Sequence, residues 1–262
     1  MTLPPALAGI SAPPDVTEAP ILSGRRPVLE LLRAGGTVER VLIAQGLKPS
    51  EVIGEIRRRA EEAAIPVRMV PRSELDRLAE GANHQGVLAA TGRYRYAPLD
   101  RLLEARGSLL FLDGITDPHN LGSLLRSADG AGFGGVVIPA HRAAPVTPAV
   151  RRVAAGAAEV VPVCRVENLN SAIEAAKRAG LWVVGLDEDA DGDVWTSELL
   201  EPPVVLVLGA EGKGIRPGVV DRLDGSVSIP QRGRIGSLNV AVAGAIAMFE
   251  VARRRTAPSG SL

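Results

Sequence analysis

The sequence predicts an α/β protein built around a parallel sheet, and three observations carry that prediction. Hydrophobic residues make up 46% of the chain but aromatics only 3%, so a core has to be assembled from Ala, Val, Leu and Ile. Short apolar runs of strand length alternate with amphipathic stretches of helix length. The 29 glycines fall largely between those runs, where turns are needed. At 262 residues the chain has room for one large or two small domains and needs no disulfide or metal to hold a core.

The elements follow in order. Residues 1–20 hold Pro4, Pro5, Pro13, Pro14 and Pro20 and lack a basic stretch before an apolar one, so they read as a disordered lead-in and not a signal peptide. Residues 21–92 form a small α/β unit. Arg26–Ala34 is a helix with Val28, Leu29, Leu31 and Leu32 apolar and Gly35-Gly36 as its stop. Val41–Ala44 is a strand. Pro49–Ala64 is a helix that turns Arg57-Arg58-Arg59 and Glu61-Glu62 to water. A strand at Val67–Val70, a helix at Ser73–Ala79 capped by Ser73, and a strand at Gly86–Ala90 complete the unit.

Residues 93–100 are polar, include Pro98, and read as a linker. From 101 to 255 the alternation resumes. Strands are expected at Leu109–Leu112, Gly135–Ile138, Val160–Val163, Trp182–Leu186, Val204–Leu208 and Ser226–Ile229. Helices are expected at Asn120–Ala131, Thr147–Ala155, Leu169–Ala179, Pro217–Arg222 and Ser237–Arg253. Six apolar strands separated by helices make a parallel sheet covered on both faces. Residues 256–262 are a frayed tail.

Charge and cysteine usage exclude several classes. The 30 basic and 30 acidic residues cancel, so no bulk electrostatic grip on nucleic acid is indicated. Local pairs (Arg25/Arg26, Arg93/Arg95, Arg151/Arg152, Arg232/Arg234) can still meet phosphates. No apolar run approaches the ~20 residues that a membrane span needs. Cys164 stands alone, and His84, His119 and His141 lack ligand spacing, so neither a disulfide framework nor a metal site is expected. The reducing cytoplasm is the expected compartment.

Two glycine patterns are decoys. Gly130, Gly132 and Gly135 match G-x-G-x-x-G, but they close a helix and precede a strand, the reverse of a dinucleotide fingerprint. Gly209-Ala210-Glu211-Gly212-Lys213-Gly214 has two residues before Gly-Lys where a phosphate loop needs four, and no hydroxyl after it.

Three loops then remain, each following a strand at the edge where open α/β sheets bind ligands. The first holds Asp117, Asn120 and Arg126, the last lying off the apolar stripe of Leu121, Leu124, Leu125 and Ala128. Taken singly, a solvated arginine and a helix-capping asparagine explain them. The second is the glycine-rich loop with Glu211. The third runs from Ile229-Pro230 to Ser237-Leu238-Asn239, with Ser237 the expected cap of a helix that is apolar nearly all round.

Together these three closely resemble the motifs of the SpoU (TrmH-type) RNA 2'-O-ribose methyltransferases. The matching text is Asp117-Pro118-x-Asn120-x-Gly122-x-x-x-Arg126-x-Ala128, then Leu208-Gly209-Ala210-Glu211-Gly212-x-Gly214, then Ile229-Pro230 with Ser237-Leu238-Asn239-Val240. The first block, with Gly24-Arg25 and Asn83-His84-Gln85-Gly86-Val87, resembles that family's substrate-binding domain, most of all in the 23S rRNA guanosine-2'-O branch. Ala241 stands where relatives often carry Ser.

The resemblance implies a SPOUT-type catalytic domain with a C-terminal deep trefoil knot, preceded by a small RNA substrate-binding domain. It implies S-adenosyl-L-methionine bound by backbone at Gly209, Ile229 and Leu238, with no metal. Asn120, Arg126, Glu211, Ser237 and Asn239 fall on functional positions: Arg126 on the target phosphate and developing alkoxide, Glu211 orienting Arg126 or its loop, the others positioning ribose and cofactor. The implied partners are 23S rRNA and a second copy of the chain. The same chemistry on tRNA or on another rRNA nucleotide, including one that confers antibiotic resistance, and a non-catalytic RNA-binding protein are the competing readings.

Overall fold

A computed structural model describes residues 20–233 and 237–256; the lead-in to Ala19, the tail from Ala257, and Arg234 to Gly236 lie outside it. The first unit runs β1 (Ile21–Ser23), α1 (Arg25–Arg33), β2 (Val38–Ala44), α2 (Glu51–Glu62), β3 (Val67–Val70), α3 (Arg72–Leu78) and β4 (Val87–Thr91). Its strands lie in the order β1-β4-β2-β3, antiparallel except for β2 and β3. Period-two alternation along β2 sends Val41 and Ile43 to the face covered by α1 and α2, and Leu42 and Ala44 to the face of Leu75 on α3.

α1 buries the four apolar residues expected of it and ends where Gly35 takes φ +65°. Ser73 does not cap α3, because the helix starts one residue earlier and Pro71 occupies the capping position without a side-chain bond. β1 is an addition: three residues gain their order by pairing with Leu88–Ala90.

The second unit runs α4 (Leu99–Glu104), β5 (Leu109–Asp113), α5 (Pro118–Gly130), β6 (Gly135–Pro139), α6 (Pro148–Ala154), α7 (Ala157–Val160), β7 (Val163–Val166), α8 (Leu169–Arg178) and β8 (Trp182–Leu186). It continues β9 (Gly192–Asp193), β10 (Val204–Gly209), α9 (Pro217–Val220), β11 (Gly225–Ser228) and α10 (Val240–Thr256). Seven parallel strands lie in the order β7-β6-β5-β10-β8-β11-β9. β5 and β10, at its centre, are buried at every residue. Leu110 and Leu112 face a core with α5, α6 and α10, while Leu109 and Phe111 face one with α4, α8 and α9. Strands covered on both faces have to be apolar throughout, which is why they read as continuous runs.

The strand expected at Val160–Val163 begins only at Val163. Residues Ala157–Val160 make a turn of helix, and Pro162, which has no N–H to donate, delays the ladder. The Gly130–Gly135 segment is a helix stop: Phe133 N donates to the Ala128 carbonyl at 2.9 Å and Gly132 takes φ +66°.

Residues 93–100 are not a free tether. The Tyr94 and Tyr96 rings meet edge to face at 5.1 Å. The Tyr94 hydroxyl donates to the Ala158 carbonyl at 2.9 Å, and the Tyr96 oxygen accepts from Val146 N at 3.0 Å. Beside them the buried Arg151 guanidinium pairs with Glu159 and donates to Thr91 Oγ1 of β4 at 2.9 Å. Gly156 leaves room for Glu30 of α1, since a Cβ there would lie 2.3 Å from the Glu30 Cβ.

Candidate functional site

The three loops that follow β5, β10 and β11 meet at one edge of the parallel sheet. In the first, Asp117 caps α5 by accepting from His119 N at 2.9 Å, which frees Asn120 from capping and leaves it buried at 8% exposure. Gly122 lets α6 approach, because a Cβ there would lie 2.6 Å from the Val153 Cβ. The second loop folds back on its strand: Gly214 N donates to the Ala210 carbonyl at 2.8 Å. A Cβ on Gly209 would lie 2.0 Å from the Gly214 carbonyl carbon, so only glycine fits there.

In the third loop, Ser237 is not the cap of α10. Asn239 is, accepting from Ala241 N at 2.9 Å and Val242 N at 3.3 Å, while Ser237 lies exposed two residues outside. Asparagine caps as well as serine, and its second polar atom remains available.

That atom, Asn239 Nδ2, donates to Asn120 Oδ1 at 3.0 Å. Asn120 Nδ2 donates in turn to Glu211 Oε2 at 3.4 Å. Three of the expected residues, one from each loop, thus form one chain of hydrogen bonds. Glu211 bonds to Asn120 and not to Arg126, so of the two roles expected of it, orienting Arg126 or the loop, this bond fits the second. Arg126 is exposed on α5, about 9 Å along the axis from Asn120 at 1.5 Å per residue. Among the described residues it forms no ion pair.

One functional contact escaped the sequence reading. The carboxylate of Asp113, fully buried at the end of β5, accepts from Arg216 Nε at 2.7 Å and Arg216 N at 2.9 Å. This hydrogen bond raises the Arg216 guanidinium pKa further. It clamps the first loop to the second. The signal was an acidic residue closing the apolar run Leu-Leu-Phe-Leu, since a buried carboxylate needs a partner.

Two clefts flank the second loop. One, of about 440 Å³, is bordered by Gly209, Ile229 and Leu238, with Leu186, Leu208 and Ser237 beside them. Asp187, Glu188 and Asp189 stand at its edge. All three residues expected to bind cofactor therefore share one cleft. The other, of about 460 Å³, lies between the 114–117 loop, Pro139 to Arg142 and the second loop. Glu211 borders both.

Residues 107–249 match the SpoU rRNA Methylase family, and residues 21–97 match the domain described as RNA 2'-O ribose methyltransferase substrate binding. A Staphylococcus haemolyticus protein named for the TrmH family of tRNA/rRNA methyltransferases is 38% identical over 241 residues, covering 90% of this chain and 96% of that one. A Mycolicibacterium vanbaalenii protein, named as an uncharacterized tRNA/rRNA methyltransferase, is 42% identical over 248 residues, covering 92% and 78%.

Among solved structures, the SpoU methyltransferase AviRb from Streptomyces viridochromogenes in complex with AdoMet superimposes with a TM-score of 0.75 and 27% identity, over 90% of each chain. The AdoMet-bound rRNA methyltransferase from Sinorhizobium meliloti gives 0.76 and 26%, over 92% of this chain and 89% of that one. Loop motifs and all three comparisons agree, and the chain belongs to the SpoU rRNA Methylase family.

Proposed function

We propose that this chain transfers a methyl group from S-adenosyl-L-methionine to a ribose 2'-hydroxyl of RNA, with a guanosine of 23S rRNA as the target. It is an RNA methyltransferase by family. The observation that carries the finer reading is the hydrogen-bond chain Asn239–Asn120–Glu211, whose last member, Glu211, borders the cleft that also holds Gly209, Ile229 and Leu238.

That cleft suits the cofactor chemically. Ile229, Leu238 and Leu186 offer dry walls to a nucleoside, and three carboxylates at the edge suit a ligand that carries cationic groups. When bound, S-adenosylmethionine supplies an electrophilic methyl on a sulfonium. Gly209, Ile229 and Leu238 hold it through backbone and apolar contact. Asn120, fixed from both sides, and Asn239 orient the ribose, with Ser237 at the cleft mouth. Arg126 pairs with the target phosphate and stabilises the alkoxide as the hydroxyl proton leaves to water or phosphate. A guanidinium keeps its own proton too tightly to be the base.

The reading includes two further features. The return of the chain after β11 to lay α10 on α5 and β10 supports the trefoil knot. A homodimer is supported by Val242 and Phe249 on α10, 49% and 52% exposed and two turns apart on one face. Gly244 takes no part in that face, since it packs inward against Leu124 and Leu208. Light scattering that returned the single-chain mass of 27.3 kDa would exclude the dimer.

The test of the function is transfer of labelled methyl to purified 23S rRNA and to tRNA from cells lacking the protein, followed by mapping of 2'-O-methyl sites. Label in one 23S guanosine is expected. Label in tRNA alone corrects the target, and label in neither overturns the reading.

A further inference from the structure

We propose that the second cleft, on the far side of the 210–214 loop from the cofactor, seats the single nucleotide that is methylated. Its base lies between Ile115, Pro139 and Val240, its ribose stands at Asn120 and Glu211, and its flanking phosphates meet Arg142 and Lys213. This inference rests on the reading of the chain as an RNA methyltransferase and adds a binding site to it.

The cleft's chemistry is that of a nucleotide. Its volume of about 460 Å³ lies within the ~300–1,000 Å³ usual for small-ligand sites. Its walls are apolar at Ile115, Pro139, Ala210 and Val240, as a stacked base requires. Its rim carries Arg142 and Lys213, both exposed, and among the described residues neither has an ion pair. Paired cations beside an apolar slot are how proteins hold a base and its phosphates together.

Three carboxylates line the cleft: Asp113 is paired with Arg216, Asp117 accepts from His119 N at the start of α5, and Glu211 accepts from Asn120 where the ribose is placed. On the rim itself His141 leans toward Glu167 at 3.5 Å. Three loops meet beside Gly114, which takes φ +83°: a Cβ there would lie 3.4 Å from the Ala210 Cβ and 4.0 Å from the Arg142 carbonyl oxygen.

Position supplies the last argument. Ala210, Glu211, Lys213, Gly214 and Val240 border both clefts, so one thin wall separates the two occupants. Asn120, which lines only the nucleotide cleft, is bonded to Glu211 in that wall. A ribose held at this pair faces the cofactor side. The cleft accepts one nucleotide and no helix, so the target has to leave its stack.

The test uses the full chain saturated with S-adenosylhomocysteine, which fills the cofactor cleft, titrated with the four nucleoside 5'-monophosphates by ligand-observed NMR. Millimolar binding of at least one is expected. Thr116→Trp, an exposed position bordering this cleft and not the other, should abolish it by filling the mouth. Arg142→Ala should weaken it about tenfold through loss of one charge-assisted contact. S-adenosylhomocysteine affinity should change less than about twofold in both variants, which also shows that they fold. Failure of every nucleotide to bind, or binding to Thr116→Trp as strong as to wild type, overturns the site. Wild type that methylates RNA while Thr116→Trp does so at the same rate also overturns it and leaves the enzyme reading intact. A wild type inactive on every RNA overturns both.

Discussion

The side-chain amide of Asn239 donates to the side-chain carbonyl of Asn120 at 3.0 Å, across 119 residues of chain. The same Asn239 caps α10 through its other polar atom. One residue thus starts the last helix and tethers the last loop to the first.

Those two duties separate by substitution. Asn239→Ala removes the cap and should cost about 1 kcal/mol of stability along with activity. Asn239→Asp keeps an oxygen for the cap but presents an acceptor to the Asn120 oxygen. Its urea midpoint should stay near wild type while single-turnover methyl transfer falls about tenfold or more. Equal activity in Asn239→Asp would show that the bond between the asparagines does nothing for transfer.

Arg126 offers the clearest split between structure and chemistry. It is exposed and off the buried stripe of α5, so Arg126→Ala should change stability by no more than ~0.5 kcal/mol. Methyl transfer should fall on the order of 10²–10³ if it stabilises developing charge. Arg126→Lys should rescue poorly, because a point charge lacks the planar fork. Cofactor titration beside single-turnover kinetics checks this, and near-normal transfer in the Ala variant would leave Arg126 an ordinary solvated side chain.

Truncation should respect the tyrosines. Chains starting at Gly92 keep Tyr94 and Tyr96, whose hydroxyls bond to Ala158 and Val146, whereas chains starting at Ala97 lose both. The shorter fragment should be less stable by roughly 3 kcal/mol or more, given the usual loss for a buried aromatic. Thermal melts of the two fragments decide it; identical melting points would mean that the pair contributes nothing to the catalytic unit.

Glu250 gives a pH dependence. It is buried, and hydrogen bonds from Arg253 and then Arg254 hold its carboxyl below the ordinary 4.5. A folded pKa below the unfolded one means stability that is present in full above about pH 4.5 and lost as pH falls through the lower folded value. Glu250→Gln should therefore be weaker by about 1–3 kcal/mol at neutral pH, and the gap should narrow in acid. Urea melts of both proteins across that range test the sign, and a gap that stayed constant would assign the loss to packing.

Strands and loops were legible in the sequence because their causes are local. Apolar runs such as Val204–Leu208 mark strands buried on both faces, and Gly209 marks a contact that admits no side chain. What sequence order hides is partnership. Nothing near Asp113 announces Arg216, 103 residues on, and nothing near Ser237 says that Asn239 will take the cap. Val160 misled because a β-branched residue beside Val161 has strand character, yet Gly156 restarts a helix there. The linker misled for a similar reason: Tyr94 and Tyr96 look polar beside arginines, and only the fold reveals the surface that they cover.

The buried pair Arg151–Glu159 with Thr91 has a consequence for target choice. Swinging the first unit away would break the Arg151–Thr91 bond and the contact of Glu30 with Gly156 and open the seam to water, so the two units stand at one spacing, like the jaws of a caliper. For the proposed reaction, that spacing would set how far from the point of grip a ribose is offered, and selection among many chemically identical riboses would become a measurement of length.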